Sequence, residues 1–116
     1  MQSEADTRAN YIDPALNKAG WKPENIRREY YFTDGRKLGN NQRGSRCFAD
    51  YLLHTRNRWL AIIEAKKASE APTEGLQQAM RYAQILKVRF VYSSNGRRTF
   101  EFDLETGKGR YIETFP

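Results

Sequence analysis

The sequence of 116 residues has one cysteine, Cys47, and one histidine, His54. A disulfide needs two cysteines, and zinc sites or nucleophile triads built on cysteine and histidine need several such residues together. The chain alone therefore excludes a disulfide framework, a zinc finger, a metal site with paired histidines and a Cys–His–Asn triad. Any bound metal is expected to be a hard cation with oxygen ligands. Acid–base chemistry is left to carboxylates, lysine, tyrosine and water.

Long hydrophobic runs are also lacking. The longest uninterrupted apolar run, Trp59–Ile63, has the length of a strand, whereas a membrane-spanning helix needs about 20 apolar residues. Met1 leads into polar residues rather than an apolar signal segment, so neither secretion nor a membrane partner is expected. Because 39% of the residues are hydrophobic and 13% are aromatic, we expect a single compact domain over residues 1–116.

Acidic residues are scarce in two segments of the chain. Lysine and arginine number 20 against 14 aspartates and glutamates, which gives a net charge of +6. Six basic residues face two acids between residues 27 and 46, and five basic residues face none between residues 75 and 100. The arginine fork pairs two phosphate oxygens at once. This favours a nucleic acid as partner, and the alternative is a solvated basic surface without a partner.

The apolar pattern predicts the element order α-β-β-β-α-β-β and a mixed sheet. Ser3 is predicted to cap a helix that either kinks at Asp13-Pro14 or is followed there by a second helix. Residues 34–46 form a long polar loop that either contacts DNA or only connects two strands. Strands are predicted at residues 26–33, 47–53, 58–65, 89–94 and 98–104, and a second main helix at residues 73–86.

The two central strands each carry a carboxylate where burial is costly. Glu64 and Lys66 are two residues apart, so they point to one face of their strand. If the hairpin loop has three or five residues, Asp50 pairs with Ile62 and lies on that face, diagonal to Glu64. A loop of two or four residues would put the carboxylates on opposite faces. Two carboxylates in reach of each other can share a divalent ion, with the Ala65 carbonyl and waters as further ligands.

This arrangement suits metal-dependent hydrolysis of a phosphodiester. The metal would polarise the phosphate and lower the pKa of its bound water. Lys66 could orient that water or stabilise the charge that develops on the phosphate. The alternative is an edge-strand salt bridge between Glu64 and a nearby base, since Glu-x-Lys is a short pattern.

Asp50 followed by Glu64-Ala65-Lys66 resembles the PD-(D/E)xK nuclease signature. The flanking segments resemble one branch of it, the N-terminal endonuclease domain of type I restriction enzyme R subunits. Ala49 stands where the signature often has proline, a residue that is not a ligand.

Three further features carry this resemblance over nearly the whole chain. Residues 4–8 and 19–21 resemble the opening helix of the branch with its acidic residue. Gln78 and Tyr82 match a QxxxY motif that follows the nuclease core, and residues 92–107 resemble the strand pair after it. By themselves, Gln78 and Tyr82 are more typical of a half-exposed helix face than of a site.

The resemblance implies a restriction-endonuclease-like α/β core, with a central mixed sheet flanked by helices. Asp50, Glu64 and the Ala65 backbone carbonyl would bind Mg²⁺, for which Mn²⁺ can substitute, and Lys66 would be the catalytic lysine. Glu4 would lie near the metal, acting through water, or be only a first-turn acid favoured by the helix dipole.

Gln78 and Tyr82 would then line the active site or contact DNA. Cleavage would proceed by direct attack of water, without a covalent intermediate. The arginines expected to contact the DNA backbone are Arg43, Arg46, Arg81, Arg97 and Arg98.

R subunits of this kind also carry ATP-driven translocase domains, and no GxxxxGK[ST] phosphate loop occurs here. The resemblance therefore implies a single nuclease domain of a larger subunit, or a stand-alone relative, with ATP bound elsewhere in the full-length subunit. The expected partners are double-stranded DNA and, through that subunit, the methyltransferase and specificity subunits, in a prokaryotic cytoplasm. The alternatives are a non-catalytic DNA-binding module of the same fold, or another PD-(D/E)xK nuclease such as a junction resolvase or a repair nuclease.

Overall fold

A computed structural model describes residues 3–33, 37–38, 42–43, 46–55 and 58–116. Its helices are α1 (Glu4–Thr7), a π-helical turn (Arg8–Ile12), α2 (Asp13–Lys18), a 3₁₀ turn (Pro23–Asn25) and α3 (Leu76–Leu86). None of the helices in this described part of the chain is long and apolar enough to cross a bilayer.

Six strands form one mixed sheet in the order β1-β4-β5-β6-β7-β8. Strands β5 and β6 are parallel, and the other neighbouring pairs are antiparallel. Strands β2 and β3 form a separate small pair. The strands are β1 (Ile26–Thr33), β2 (Lys37–Leu38), β3 (Gln42–Arg43), β4 (Arg46–Thr55), β5 (Arg58–Ala65), β6 (Phe90–Ser94), β7 (Thr99–Asp103) and β8 (Lys108–Ile112). The predicted α/β class and mixed sheet are confirmed.

Helices cover both faces of the sheet, and each face has its own apolar cluster. Ile12 and Leu16 of the opening helical run pack on one face, against Tyr51 and Ile63. Helix α3 packs on the other face, where Ala79 and Ala83 join a second cluster. Burial on both sides explains why β4 and β5 read as nearly continuous apolar runs in the sequence.

The helical run continues through Asp13-Pro14, and α2 begins there with Pro14 in its first turn, as one of the two alternatives predicts. The cap position of α2 is Ile12 rather than the predicted Asp13. Ser3 is the cap of α1, as predicted: its hydroxyl accepts the Asp6 N–H, and the Asp6 carboxylate accepts the Ser3 N–H. Asp13 has helical angles, and its N–H donates to the Arg8 carbonyl five residues back. This wide turn accommodates Pro14, which has no N–H to give.

Strand ends differ from the sequence prediction by one or two residues, and three differences are larger. The long loop predicted over residues 34–46 is wrong in part, because it contains β2 and β3. Helix α3 begins at Leu76 rather than at residue 73, after a turn. Strand β8 was not predicted, because it is a largely exposed edge strand whose sequence carries little apolar alternation.

Candidate active site

The β4–β5 hairpin brings Asp50 and Glu64 opposite each other by a route that the sequence does not reveal. Thr55 pairs with Arg58, so two residues connect the strands. A regular hairpin with that loop would place the two carboxylates on opposite faces. Of the two alternatives for the loop, the structure has the two-residue one, so the condition for pairing Asp50 with Ile62 is not met.

A β-bulge corrects the register. Leu53 lies opposite Ala61, but the next residue, His54, lies opposite Trp59, so β5 contains one extra residue at this point. Beyond the bulge, Tyr51 pairs with Ile63. Asp50 and Glu64 are the next residues of the two strands, and their side chains lie next to each other.

The backbone of β4 also twists at Asp50. Ala49 packs in the cluster on the α3 side of the sheet, whereas Tyr51 packs on the opposite side, although residues two apart normally share a face. On the neighbouring strand, Glu29 has a φ of 49° and interrupts the pairing of β1 with β4 at the same level. A left-handed glutamate within a strand is uncommon, and such conformations cluster at functional sites.

Asp50 is held by groups from two other elements. One oxygen, Oδ2, accepts the backbone N–H of Ala65 at 2.8 Å. The other, Oδ1, lies 3.5 Å from Nη1 of Arg8, in the opening helix. The first contact ties Asp50 to the end of β5, and the second contact brings in a cation that the sequence did not predict.

Glu64 is a buried carboxyl group next to another carboxyl group. Burial raises the pKa of Glu64 above its ordinary value, and the hydrogen bond and negative charge of Asp50 raise it further. Gln78 acts in the opposite direction, because its Nε2 donates to Oε1 of Glu64 at 3.3 Å. Without a bound cation, these effects favour the protonated form of Glu64 beside Asp50.

Lys66 lies half-buried at the end of β5, beside the turn before α3. A methyl group added to Gly75 would be 3.0 Å from Lys66 Cε and 3.1 Å from Glu64 Cβ. Across the chain, the buried hydroxyl of Thr7 donates to the Lys66 carbonyl at 2.7 Å. These close contacts bring the side chains of Glu64 and Lys66 to the same turn, as their spacing predicts.

The other predicted ligands and contact residues take different positions. Gln78 reaches Glu64, as described above. Tyr82 is buried on the α3 side of the sheet, with its ring edge-on to Phe32 at 5.1 Å. Glu4 lies in the first turn of α1 and does not join Asp50 and Glu64, because the described residues contain no group of three potential His, Cys, Asp or Glu ligands.

The predicted DNA-contacting arginines divide into three groups. Arg97 and Arg98 are exposed in the turn after β6, where Asn95 Oδ1 accepts both of their backbone N–H groups. Arg81 is exposed on α3. The side chains of the other two, Arg43 and Arg46, lie outside the described part of the structure.

Sequence reasoning missed three residues of this site: Thr7, Arg8 and Gly75. Thr7 and Arg8 lie more than 40 residues before the atoms they contact, so no local spacing pointed to them. Gly75 directly precedes α3, and its small size at the end of the connection from β5 was the one available signal.

Two carboxylates and a nearby backbone carbonyl form an oxygen donor set that suits Mg²⁺. This ion keeps several of its waters and is usually held by one or two carboxylates. Burial and the charge of Asp50 raise the Glu64 pKa, and both effects penalise the ionised pair, which a bound divalent cation would stabilise. The residues present therefore fit the ion.

Helices on both faces of a mixed sheet, with this acidic pair and lysine at the end of a central strand, define a restriction-endonuclease-like α/β core. Residues 3–116 match the family described as the N terminus of the type I restriction enzyme R protein. The chain belongs to this family.

Two relatives support the assignment. The endonuclease subunit of the type I restriction enzyme EcoAI from Escherichia coli is 33% identical over 96% of this chain. A fragment assigned to the HsdR subunit of a type I restriction enzyme from Vibrio vulnificus is 42% identical and superimposes on 97% of this chain with a TM-score of 0.83. This chain spans 14% of the first relative and 23% of the second.

Proposed function

We propose that this chain is the DNA-cleaving module of a type I restriction enzyme, and that it hydrolyses phosphodiester bonds with Mg²⁺ or Mn²⁺. The observation that carries the proposal is the buried pair of Asp50 and Glu64 with Lys66 beside it. Burying two carboxylates side by side costs free energy, which a structural role alone would not require. The membership of the chain in the R-subunit family supports the same activity.

In this mechanism each residue has a defined role. Asp50 and Glu64 hold the metal together with the Ala65 carbonyl, and Glu4 contributes only through water. When bound, the ion polarises the scissile phosphate and lowers the pKa of its water. Lys66 orients the attacking water and stabilises the negative charge that develops on the phosphate.

The remaining residues hold this arrangement in place. Gln78 fixes one oxygen of Glu64, and the Ala65 N–H fixes one oxygen of Asp50, so the two carboxylates are oriented before the ion binds. Tyr82 packs against Phe32 of β1 and so holds α3, the helix that carries Gln78, on the sheet. Water attacks directly, and no covalent intermediate forms.

Double-stranded DNA is the proposed substrate, held through its backbone by exposed arginines at the rim of the site. Arg97 and Arg98 follow β6, which runs parallel to β5 and ends beside it, so they lie at the same edge of the sheet as Lys66. Arg81, Arg43 and Arg46 are the other proposed backbone contacts. ATP-driven translocation, and contacts with the methyltransferase and specificity subunits, belong to the rest of the subunit.

The test is calorimetric titration of Mn²⁺ into the 116-residue chain and its Asp50→Ala variant, together with a plasmid-nicking assay. Metal binding by the wild type that is lost in the variant, with nicking by the wild type, supports the proposal. Binding without nicking indicates a module that cuts only within the full-length subunit. DNA affinity without metal binding indicates a non-catalytic DNA-binding module instead.

Nicking of branched DNA in preference to linear duplex would point to a junction resolvase of the same fold. The same assay therefore separates the restriction module from its relatives when a four-way junction is included as substrate.

A further inference from the structure

The guanidinium of Arg8 makes a contact that the proposed mechanism does not use. It lies 3.5 Å from Oδ1 of Asp50, the carboxylate that we assign to the metal. The Arg8 side chain is 27% exposed, whereas the Asp50 side chain is 6% exposed. The Arg8 side chain therefore extends from the protein surface to the buried carboxylate of Asp50.

The position of Arg8 is fixed by its neighbours in the chain. Thr7, directly before it, is fully buried and donates to the Lys66 carbonyl at 2.7 Å. Asp13, at the other end of the π-helical turn, accepts the Tyr51 hydroxyl at 2.6 Å. Single π-turns of this kind are frequent at functional sites. The backbone of Arg8 is thus anchored to β5 on one side and to β4 on the other.

A guanidinium and a divalent cation compete for the same carboxylate oxygen. A buried carboxylate without a counter-ion is costly, so Asp50 needs a cation in the absence of metal. When a metal takes Oδ1, the like charge of Arg8 must move away. At 3.5 Å the contact between Arg8 and Asp50 is at the long end of the hydrogen-bond range. The Arg8 side chain is partly exposed, so it can move into solvent.

The freed guanidinium would lie beside the bound metal, next to the position of the scissile phosphate. Arginine is well suited to this place, because its planar fork can pair with two oxygens of one phosphate. Because the backbone of Arg8 is anchored, the guanidinium would reach the phosphate by a rotation of its partly exposed side chain.

We infer that Arg8 is the counter-ion of the metal-free site, pairing with Asp50 until a divalent cation displaces it towards the phosphate of bound DNA. This inference rests on the proposed function. Arg8 then has two opposite effects: it weakens metal binding, and it strengthens the contact with the phosphate of DNA.

The experiment measures both effects on the 116-residue chain. Mn²⁺ is titrated into the wild type and Arg8→Met, and plasmid nicking is measured at saturating Mn²⁺. We expect Arg8→Met to bind Mn²⁺ about threefold tighter or more, because the competing cation is gone. We expect its nicking rate to fall about tenfold or more, because the phosphate loses a donor.

Arg89→Met is the matched control. Arg89 donates two hydrogen bonds to Asp103, at 3.0 and 2.9 Å. It directly precedes β6, whereas Glu64 lies beside the other end of that strand. Its replacement removes the same charge and a similar contact, so Mn²⁺ affinity should stay unchanged. If Arg8→Met fails to unfold cooperatively, Arg8→Lys replaces it, with an expected Mn²⁺ affinity between those of the wild type and a charge-free site.

An unchanged or weaker Mn²⁺ affinity of Arg8→Met, with a wild type that binds Mn²⁺, overturns the inference and leaves the proposed function standing. A wild type that does not bind Mn²⁺ overturns the proposed metal site, and the inference with it. Tighter metal binding together with slower nicking supports the inference, since a residue needed only for folding would lower both.

Discussion

At the scale of single residues, this site buries acidic side chains, where ionisation costs the most free energy. Glu64 is buried beside Asp50, and one amide, that of Gln78, is its visible compensation. A protein that needed only stability would not retain this pair, since removing charge from such a place commonly stabilises a protein at the cost of activity. The stability of the metal-free protein should therefore depend on pH.

We predict that Glu64→Gln is more stable than the wild type without metal, and that its advantage grows with pH. The pKa of Glu64 is raised in the folded protein above the ordinary 4.5. From about pH 4.5 up to the raised value, the folded wild type binds more protons than the unfolded chain, so its stability falls as pH rises. At pH 8 the variant should be more stable by about 1 kcal/mol or more, roughly 4 °C in Tm.

Thermal unfolding at pH 5 and pH 8, with and without Mn²⁺, checks this prediction. Added Mn²⁺ should raise the Tm of the wild type and leave that of Glu64→Gln nearly unchanged. Equal pH profiles for the two proteins would show that Glu64 is ionised in the fold.

Lys66 should matter for catalysis and not for the binding of DNA. We predict that Lys66→Met lowers plasmid nicking by about 10²-fold or more, because the phosphate loses a charged donor in the transition state. Mn²⁺ affinity should not fall, since Lys66 is a cation and not a ligand. Nicking by Lys66→Met at the wild-type rate would refute its role.

At the scale of elements, the site is assembled where four parts of the fold meet. The ends of β5 and β6, the start of the opening helix and the turn before α3 all meet around Lys66. Gly75 lies where these elements approach each other most closely. Its φ of −88° suits any residue, so the glycine is required by space and not by backbone conformation.

We predict that Gly75→Ala impairs cleavage more than it impairs folding. The new methyl group would be 3.0 Å from Lys66 Cε and 3.0 Å from Ser93 Oγ. Lys66 is the flexible partner and should give way, which displaces its charge and lowers nicking by about tenfold, with a stability loss of about 1–3 kcal/mol.

Urea unfolding and the nicking assay, run in parallel, check the effect of Gly75→Ala. Gln77→Ala, at an exposed position of α3, is the control and should change neither. Wild-type nicking by Gly75→Ala would mean that Lys66 does not depend on this contact.

At the scale of the whole molecule, the net charge of +6 is displayed partly by loops at the edge of the sheet where the acidic pair lies. Arg98 is held there by Tyr111, with its guanidinium carbon 3.6 Å from the ring centroid. Arg97 and Arg98 thus place positive charge at the end of the sheet where the buried acidic pair lies. That arrangement suits a polyanion whose backbone must approach a metal.

We predict that Arg97→Gln combined with Arg98→Gln weakens DNA binding equally for unrelated duplex sequences. Each lost phosphate contact should lower the slope of log K against log salt by about 0.9. Fluorescence anisotropy over a range of salt concentrations, with two duplexes of different sequence, measures both quantities. Arg110→Gln is the control, because Arg110 is engaged with Glu101 at 2.9 Å. A loss confined to one sequence would indicate base recognition instead.

Much of this molecule could be read from local patterns. The Ser3 capping box, the strands around Tyr30 and Ile62, the helix containing Ala79 and the same-side placement of Glu64 and Lys66 follow from spacing and residue type. Such features depend on neighbours within a few residues, where a helix or strand repeat fixes which side chains share a face. The exposed strand β8 escaped because no apolar pattern marks it.

What only the tertiary structure decided is how distant parts of the chain meet. The loop length alone would have separated Asp50 from Glu64, and a bulge beside Leu53 restored their approach. Arg8 is 42 residues from Asp50 in sequence, and only the packing of the opening helix on the sheet brings them together. The sequence by itself determined the chemistry that is available: oxygen ligands, one well-placed lysine and an excess of arginine. Register and helix docking decided which of these groups touch, because both depend on packing over the whole sheet and not on local repeats.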